Sequence, residues 1–379
     1  MAERIALLDL THAELAALLA GWGQPNFRAD QIWRWLYLGL ADDTEAMTNL
    51  PAALRRQLHS ETDLALLWPI SEQVSASGHT RKLLVRLRDG ATIESVLMSY
   101  RQRQTACIST QAGCGMGCTF CATGQGGLER NLSAGEIVAQ VIQLARRVRQ
   151  TQTERAGAVS SGSPGTGHLI TNVVLMGMGE PLANYDAAWH AIETLADPDG
   201  FNLGARRITL STVGLAPGIR RLAREELAIN LAVSLHAAED QLRDQLVPVN
   251  RRYPLAELMA AVREYTAATR RRVSFEVALI SGVNDAPEQA RHLAGLLAGV
   301  LCHVNLIPLN ATPGSSLRPS PHERVDAFRQ QLEAAGIPTT VRMRRGIDIE
   351  AGCGQLRQRQ TGGATVEELP AADTGIGAS

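Results

Sequence analysis

Residues 105–121 read TACISTQAGCGMGCTFC, and this stretch decides both the fold and the chemistry that we expect. Its first part, TACIST, is a short apolar run of the kind that forms a buried strand. Its second part is rich in glycine and carries Cys114, Cys118 and Cys121, so we interpret it as a loop that directly follows the strand. The stretch therefore predicts a strand whose end presents three thiols.

Similar apolar runs recur downstream of this strand. They are NVVLMGMG (172–179), RITLSTVG (207–214), INLAVSLH (229–236), VSFEVALI (273–280) and HVNLIPLN (303–310). Helical stretches separate most of them, such as SAGEIVAQVIQLARRV with a Ser133/Glu136 capping box. Strands that alternate with helices predict an α/β fold with a parallel sheet, and six such units fit a partial or full barrel. The unusual polar residues end the strands, where barrel enzymes carry their sites.

The chain before residue 104 has a different pattern. Residues 1–70 predict a small helical domain, with Thr11 and Glu14 as a capping box, a second helix from FRADQIWRWLYLGL, and a third that Asn49 opens, with Pro51 in its first turn. Residues 71–103 predict a β-hairpin and linker, because alternating segments flank Asp89-Gly90.

Two segments carry no periodic pattern. Residues 151–168, rich in Gly, Ser and Thr, are typical of a mobile surface insertion. Residues 359–379 predict a disordered tail that follows a main domain of residues 104–358.

Composition narrows the class of protein. Short, charge-broken apolar runs predict no membrane span, and the N-terminus does not resemble a signal peptide. Six cysteines without an export signal indicate a reducing cytoplasm and chemistry, not a disulfide framework. The net charge is only −1, but all basic residues except Lys82 are arginine, and many of these occur in pairs or triplets. Such groups bind phosphate well, although a GC-rich genome explains an excess of arginine equally well.

The cysteine triplet has the spacing C-x3-C-x2-C. Ordinary four-iron clusters and zinc sites take four protein ligands, whereas three thiolates leave one iron open. The amino and carboxylate groups of S-adenosylmethionine (SAM) suit an open iron, and electron transfer from the cluster then breaks the sulfonium C–S bond. The alternative is a zinc knuckle with a distant fourth ligand, Cys353 or His236.

The triplet, Phe120 before its last cysteine, and MGMGEPLANY after the second strand resemble the radical SAM superfamily. The chain also resembles one family within this superfamily, over nearly its whole length. The segments that carry this resemblance are FRADQIWRWLY, MTNLP, IESVLMSY, STVGL, SLHA, PVNRRYPL, LIPLN and RRGIDIEAGCGQL. That family is the adenine C2-methyltransferases of ribosomal RNA, which also act on some tRNAs. The resemblance implies a partial (β/α)6 radical SAM barrel preceded by an accessory RNA-binding domain.

The resemblance also implies roles for individual residues. Cys114, Cys118 and Cys121 bind one [4Fe-4S] cluster; Gly179, Glu180, Ser211, Ser234, His236 and Asn310 contact SAM, of which two molecules are used per turnover. Cys353 is methylated, and Cys107 resolves the intermediate through a transient disulfide. A thiolate is needed because the electron-poor adenine C2 does not attack the SAM methyl group itself. Glu94 is a candidate acceptor for the C2 proton, with Cys107 as the competing one.

The predicted enzyme is a cytoplasmic monomer that methylates C2 of an adenosine in 23S ribosomal RNA and of one in the anticodon loop of some tRNAs. An electron donor such as flavodoxin reduces the cluster. Two alternatives stay open: the sister resistance family that methylates adenine C8, and an RNA-binding module with a structural metal. We interpret Cys302, which matches no motif, as a buried strand thiol.

Overall fold

The structure is a computed structural model that describes residues 4–156, 169–312, 315–342 and 345–357. The predicted tail lies outside the described residues, as does the predicted insertion from residue 157 onward. The first residues of that insertion are helical, because they continue the helix Ala134–Ala156. None of the described helices is both long and apolar enough to cross a membrane.

The described strands and helices alternate along most of the chain. The strands are β1 Ile5–Ala6, β2 Thr62–Asp63, β3 Trp68–Val74, β4 Thr80–Arg86, β5 Thr92–Ser99, β6 Gln104–Cys107, β7 Gln111–Gly113, β8 Leu128–Asn131, β9 Asn172–Leu175, β10 Ile208–Thr212, β11 Asn230–Ser234, β12 Val273–Leu279, β13 Cys302–Pro308 and β14 Thr339–Val341. The helices are α1 His12–Gly21, α2 Phe27–Arg34, α3 Ala52–Glu61, α4 Ala122–Gln125, α5 Ala134–Ala156, α6 Tyr185–Ala196, α7 Ala216–Leu222, α8 Asp240–Leu246, α9 Leu255–Thr269, α10 Pro287–Leu297 and α11 His322–Ala334.

A ten-stranded sheet forms the centre of the molecule, in the order β3-β4-β5-β6-β9-β10-β11-β12-β13-β14. From β6 to β14 all neighbours pair in parallel, with helices in the connections. The predicted α/β fold is therefore confirmed, and the six predicted parallel strands are present. The sequence pattern missed β14, because three residues are too few to show a periodicity. Since parallel strands end at one edge, the loops that follow them meet there.

The predicted hairpin exists but is part of a larger unit. β4 and β5 pair antiparallel, and β3 adds a third strand. The connection takes residues 87–91, with Gly90 at φ +93°, so the turn is wider than a two-residue Asp-Gly turn. β5 also pairs with β6, which makes this unit the antiparallel edge of the main sheet. β3 crosses residue 70, where the two predicted domains meet, so that boundary stays a prediction.

Capping explains where the N-terminal helices begin. The capping box of Thr11 and Glu14 is present at α1, as predicted. The predicted cap at Asn49 is wrong, because Pro51 directly precedes α3. The Asn49 side chain instead accepts a hydrogen bond from Trp35 Nε1 at 2.6 Å, so it ties two N-terminal segments together.

The N-terminal helices are attached to the main sheet's helices by polar contacts as well as by the shared core. Trp33 Nε1 donates to Asp197 at 2.8 Å. Arg146 on α5 donates to the carbonyl oxygens of Leu40 and Ala41. Arg146 belongs to one of the arginine pairs noted in the sequence, and its side chain has a structural role here.

Candidate functional site

Loops at the carboxyl ends of the parallel strands enclose a cavity of about 860 Å³, its open mouth included. The carboxyl ends of β9, β10, β11 and β13, or the loops that follow them, each contribute polar residues, as expected where parallel strands end. Most predicted site residues line it: Cys118, Cys121, Gly179, Glu180, Ser211, Ser234, His236, Asn310 and Cys353. The fold thus brings together residues that lie far apart in the sequence.

The cysteine triplet begins where β7 ends. Gly113 has φ +78°, and a Cβ there would lie 2.1 Å from the carbonyl oxygen of Gly127, so only glycine fits. This close approach lets the Cys114 amide donate to that same oxygen at 2.7 Å. Cys114 and Cys118 are buried and Cys121 is half-buried. The loop therefore presents its last two thiols to the cavity.

Two of the three thiols, Cys114 and Cys118, have raised pKa values. Burial raises the pKa of Cys114 to about 11, and burial also raises the pKa of Cys118. The negative charge of neighbouring thiolates adds to both shifts. A cation that neutralises them removes this penalty, so the donor set fits a cluster held by three cysteines. Within the described ranges, no three His, Cys, Asp or Glu side chains are arranged as a preformed metal site.

Glu180 is a buried carboxylate at the cavity wall. Its oxygens accept hydrogen bonds from the amides of Leu182 at 3.0 Å and Val213 at 2.8 Å. Burial nevertheless raises its pKa to about 7. Gly179 precedes it at φ +102°, and a Cβ there would meet the Gln111 side chain at 2.7 Å. The glycine thus permits the turn that directs Glu180 into the site.

His236 is held in one tautomer. Its Nδ1 accepts the amide of Ala278 at 3.1 Å, and its ring packs edge-on against Phe120 at 4.7 Å. Burial lowers its pKa to about 3, so the ring is neutral and Nε2 carries the proton. A nitrogen in this state donates a hydrogen bond and does not coordinate zinc.

A second cavity, of about 1130 Å³ with its open mouth, adjoins the first. Cys107 at the end of β6 lines it together with Cys353. Both cavities share Met176, Ile307, Asn310, Arg342 and Cys353. Cys353 is therefore the thiol that faces both spaces, and Cys107 faces only the second.

The environments of the two outer cysteines differ. Burial raises the pKa of Cys107 to about 12, and the nearby Cys353 charge adds to this. The Cys353 side chain is exposed to the cavities. The surrounding protein nevertheless shields it from bulk solvent, and this burial raises the pKa of its thiol. The Arg342 guanidinium opposes that rise, so it favours the Cys353 thiolate.

Asn310 links the cavity to the Cys353 loop. Its Nδ2 donates to the carbonyl oxygen of Cys353 at 3.1 Å. Its Oδ1 is buried and has no hydrogen-bond partner in the described structure. Such an oxygen calls for a donor from a bound molecule.

Glu94, the candidate proton acceptor, is buried and lies beneath this loop. Lys82 Nζ is 3.2 Å from its Oε1, and its Oε2 accepts the amide of Arg357 at 3.0 Å. Glu94 lines neither of the two cavities described above. Its role as a proton acceptor stays a prediction.

Sequence reasoning missed two charged residues at the site. Glu276 interrupts the apolar strand β12 and lines the first cavity, where its Oε2 is 3.6 Å from Arg342 Nη1. Arg342 directly follows β14, the strand that the pattern did not detect. A carboxylate inside an apolar run is the signal that could have drawn attention to Glu276. Cys302 is buried and lines neither cavity, as predicted.

Comparison with known proteins agrees with this architecture. Residues 5–64 match the family model of the ribosomal RNA large subunit methyltransferase N-terminal domain. A crystal structure of a radical SAM methyltransferase from Sphaerobacter thermophilus superposes with a TM-score of 0.88 at 52% identity, covering 93% of this chain and 99% of that one.

Curated relatives are similar over nearly their whole length. The probable dual-specificity RNA methyltransferase RlmN of Chloroflexus aurantiacus is 54% identical over 95% of this chain and 94% of its own. The dual-specificity RNA methyltransferase RlmN 1 of Myxococcus xanthus is 50% identical, covering 95% of each chain. The chain is therefore an enzyme of the methyltransferase class and belongs to the RlmN family of dual-specificity RNA methyltransferases.

Proposed function

We propose that this enzyme uses SAM to methylate C2 of an adenosine in 23S ribosomal RNA, and of one in the anticodon loop of some tRNAs, by way of a methylated Cys353. The observation that carries the proposal is the pair Cys107 and Cys353, which line one cavity next to another that the cysteine triplet borders. A polar methyl transfer to a nucleophilic atom needs neither thiol. The proposed fold is a partial (β/α)6 barrel built on the parallel strands, and the proposed setting is the cytoplasm, as a monomer.

In this proposal Cys114, Cys118 and Cys121 hold one [4Fe-4S] cluster that a donor such as flavodoxin reduces. When bound, the cluster supplies the electron that breaks a carbon–sulfur bond of SAM. Glu180 accepts hydrogen bonds from the SAM amino group, and Ser211, Ser234, His236 and Asn310 contact the rest of the molecule. His236 Nε2 acts as a donor, because its Nδ1 is already an acceptor. The buried Asn310 Oδ1 accepts a hydrogen bond from the ligand.

Cys353 and Cys107 act at different times. The Cys353 thiolate, favoured by Arg342, first takes the methyl group of one SAM. A second SAM is then consumed to remove a hydrogen atom from this S-methyl group, and the resulting carbon bonds to adenine C2. The adduct must then lose the C2 proton and one electron, for which the oxidised cluster would be the acceptor. The Cys107 thiolate then attacks the Cys353 sulfur. The S–S bond forms while the C–S bond breaks, the electron pair goes to the product carbon, and that carbon takes a proton. An external thiol reduces the disulfide before the next turnover.

Nucleoside mass spectrometry tests the proposed product. RNA from a strain that lacks the enzyme should gain C2-methyladenosine in 23S ribosomal RNA when this chain is expressed, but not when Cys353→Ala is expressed. C8-methyladenosine instead would assign the chain the activity of the sister family. Binding of RNA without any methylation would favour the alternative of an RNA-binding module with a structural metal.

The pH dependence of SAM binding should follow Glu180. Because burial raises the pKa of this carboxyl to about 7, it is charged above that pH and neutral below it. Affinity for SAM should therefore fall as the pH drops from 7.5 to 5.5, by about tenfold per unit well below the pKa. This range lies below the usual ~7.7–8.0 of an α-amino group, so the ligand stays protonated.

Equilibrium binding to the protein without its cluster measures this effect, because an amino group that binds iron must first lose its proton. Glu180→Gln should bind weakly at all pH values in this range, with the slope removed. The matched control Glu276→Gln, at the same cavity, should keep the slope. A wild-type affinity that does not change with pH would contradict the assigned role of Glu180.

RNA binding should depend on arginines at the mouth of the second cavity. Arg103 and Arg345 both lie over the ring of Tyr100, at 4.2 and 4.4 Å from its centroid. Arg345→Glu should weaken RNA binding about tenfold or more, because a charge-assisted contact contributes about 1.5–3 kcal/mol. The slope of log affinity against log salt should also fall by roughly 0.7–0.9 per lost phosphate contact. Arg344, the neighbouring arginine in the sequence, lies outside the described residues.

The control for this charge reversal is Arg206→Glu. Arg206 is exposed and lies two residues before β10, so it lies at the opposite, amino end of the parallel strands. Filter binding over a range of salt concentrations should distinguish the two variants, while both still cleave SAM. Equal losses in the two variants would show that the effect is one of net charge, not of a contact at the cavity.

A further inference from the structure

A buried ion pair lies on the antiparallel edge of the sheet. Lys82 on β4 and Glu94 on β5 have side chains only 2% and 1% exposed, and their Nζ and Oε1 atoms are 3.2 Å apart. Lys82 is the single lysine of the whole sequence. A buried pair of this kind contributes little to stability compared with apolar residues of similar volume, so its use is better sought in what it positions.

Both members of the pair bind the loop that carries Cys353. Lys82 Nζ donates to the carbonyl oxygen of Glu350 at 3.2 Å. Glu94 Oε2 accepts the amide of Arg357 at 3.0 Å. Cys353 lies between Glu350 and Arg357 in the sequence, so the ion pair contacts the loop on both sides of the reactive thiol.

The same sheet edge carries the other reactive cysteine. Lys82 pairs with Val96 across β4 and β5, and Val96 pairs with Cys107 across β5 and β6. Val96 itself lines the second cavity beside Cys107. Because Glu94 and Val96 are two positions apart on β5, they share one face of the sheet. The ion pair therefore connects the Cys353 loop to the strands that hold Cys107.

We propose that the Lys82–Glu94 ion pair is a positioning device that fixes the 350–357 loop against β4 and β5, so that Cys353 faces both cavities and stays within reach of Cys107. The inference rests on the proposed function, in which Cys353 carries the methyl group. It gives Glu94 a positioning role and leaves proton acceptance by Glu94 a separate prediction.

The test combines a measurement of loop order with a measurement of chemistry. In Lys82→Met and in Glu94→Gln, the amides of residues 350–357 should exchange hydrogen about tenfold faster or more, because their local opening becomes easier. Methyl uptake by Cys353, followed by peptide mass spectrometry, should slow by about the same factor. The Kd for SAM should stay near wild type, since none of the proposed SAM contacts belongs to the ion pair. A general loss of structure would change all of these together.

Two further variants make the role of the pair specific. Lys82→Arg keeps the charge and the donors, so it should recover most of the methyl uptake. The Lys82→Met/Glu94→Gln double variant should lose no more than either single variant, because the two residues act as one unit. Arg81→Met is the matched control: Arg81 is the next residue on β4, points to the other face, and pairs with Glu72 at 2.7 Å. It should leave both loop exchange and methyl uptake unchanged.

Glu94→Gln distinguishes the two roles of this residue even where Lys82→Met fails to fold. Normal loop exchange and normal methyl uptake in Glu94→Gln, with a protein–RNA adduct that accumulates later, would overturn the positioning role and favour proton acceptance. Wild-type protein that takes up no methyl group on Cys353 would instead contradict the proposed function. In that case the loop-exchange measurement still decides whether the ion pair orders the loop.

Discussion

Cys107→Ala is expected to accumulate a covalent adduct between the protein and its RNA. In the proposed sequence Cys107 acts only after the carbon–carbon bond to adenine has formed, when its thiolate attacks the Cys353 sulfur. Without it, methyl uptake and addition to the base still occur, but release does not. Turnover should fall to background, because within the described structure the second cavity has no thiol besides Cys107 and Cys353, which carries the methyl group.

Denaturing electrophoresis of reactions with labelled RNA measures the adduct. The band should collapse on nuclease digestion and be absent in Cys353→Ala and in the Cys107→Ala/Cys353→Ala double variant, because neither protein carries the methyl group. Cys302→Ala is the control, since that thiol is also buried on a strand but lines neither cavity. It should turn over normally. Full turnover by Cys107→Ala without an adduct would contradict the assigned role of Cys107.

Cys118→Ala should abolish the iron–sulfur absorbance and deoxyadenosine formation together. Cys118 is one of three predicted cluster ligands. Among the described residues, the first cavity is also lined by Cys121, itself a predicted ligand, and by Cys353. In the proposed function Cys353 is the methyl carrier. Loss of one ligand therefore leaves no spare thiolate that is not already used.

Iron and sulfide content, the visible spectrum and deoxyadenosine formation check this outcome. Cys302→Ala should again behave like wild type in all three measurements. A Cys118→Ala protein that cleaves SAM at the normal rate, or a wild-type protein that binds one zinc ion and no iron, would contradict the radical mechanism.

Local features of the structure could be predicted from the sequence where the determining contacts are themselves local. The capping boxes at Thr11 and Ser133 involve residues three positions apart, and both are present. The strands of the parallel sheet, apart from β14, were predicted from their apolar runs. Prediction failed where a distant residue decided the outcome, as at Asn49, whose side chain is occupied by Trp35.

The candidate site divides in the same way. The triplet of Cys114, Cys118 and Cys121 is a local pattern with a chemical meaning of its own. The partnership of Cys107 and Cys353 came from the family resemblance, because no local pattern relates a strand residue to a loop near the other end of the chain. The hydrogen bonds of Lys82 and Glu94 with the Cys353 loop were not predicted, since they depend on strand register and on loop packing.

The fate of a labelled methyl group tests the central claim most directly. Protein whose Cys353 has been methylated from SAM with a fully deuterated methyl group is freed of that SAM, then mixed with RNA, unlabelled SAM and a reductant. Because one hydrogen atom is removed from the S-methyl group before it joins C2, the first C2-methyladenosine formed should carry two deuterium atoms in its methyl group. The third should appear in deoxyadenosine. Three deuterium atoms in the RNA methyl group, or none, would contradict the proposed route through Cys353.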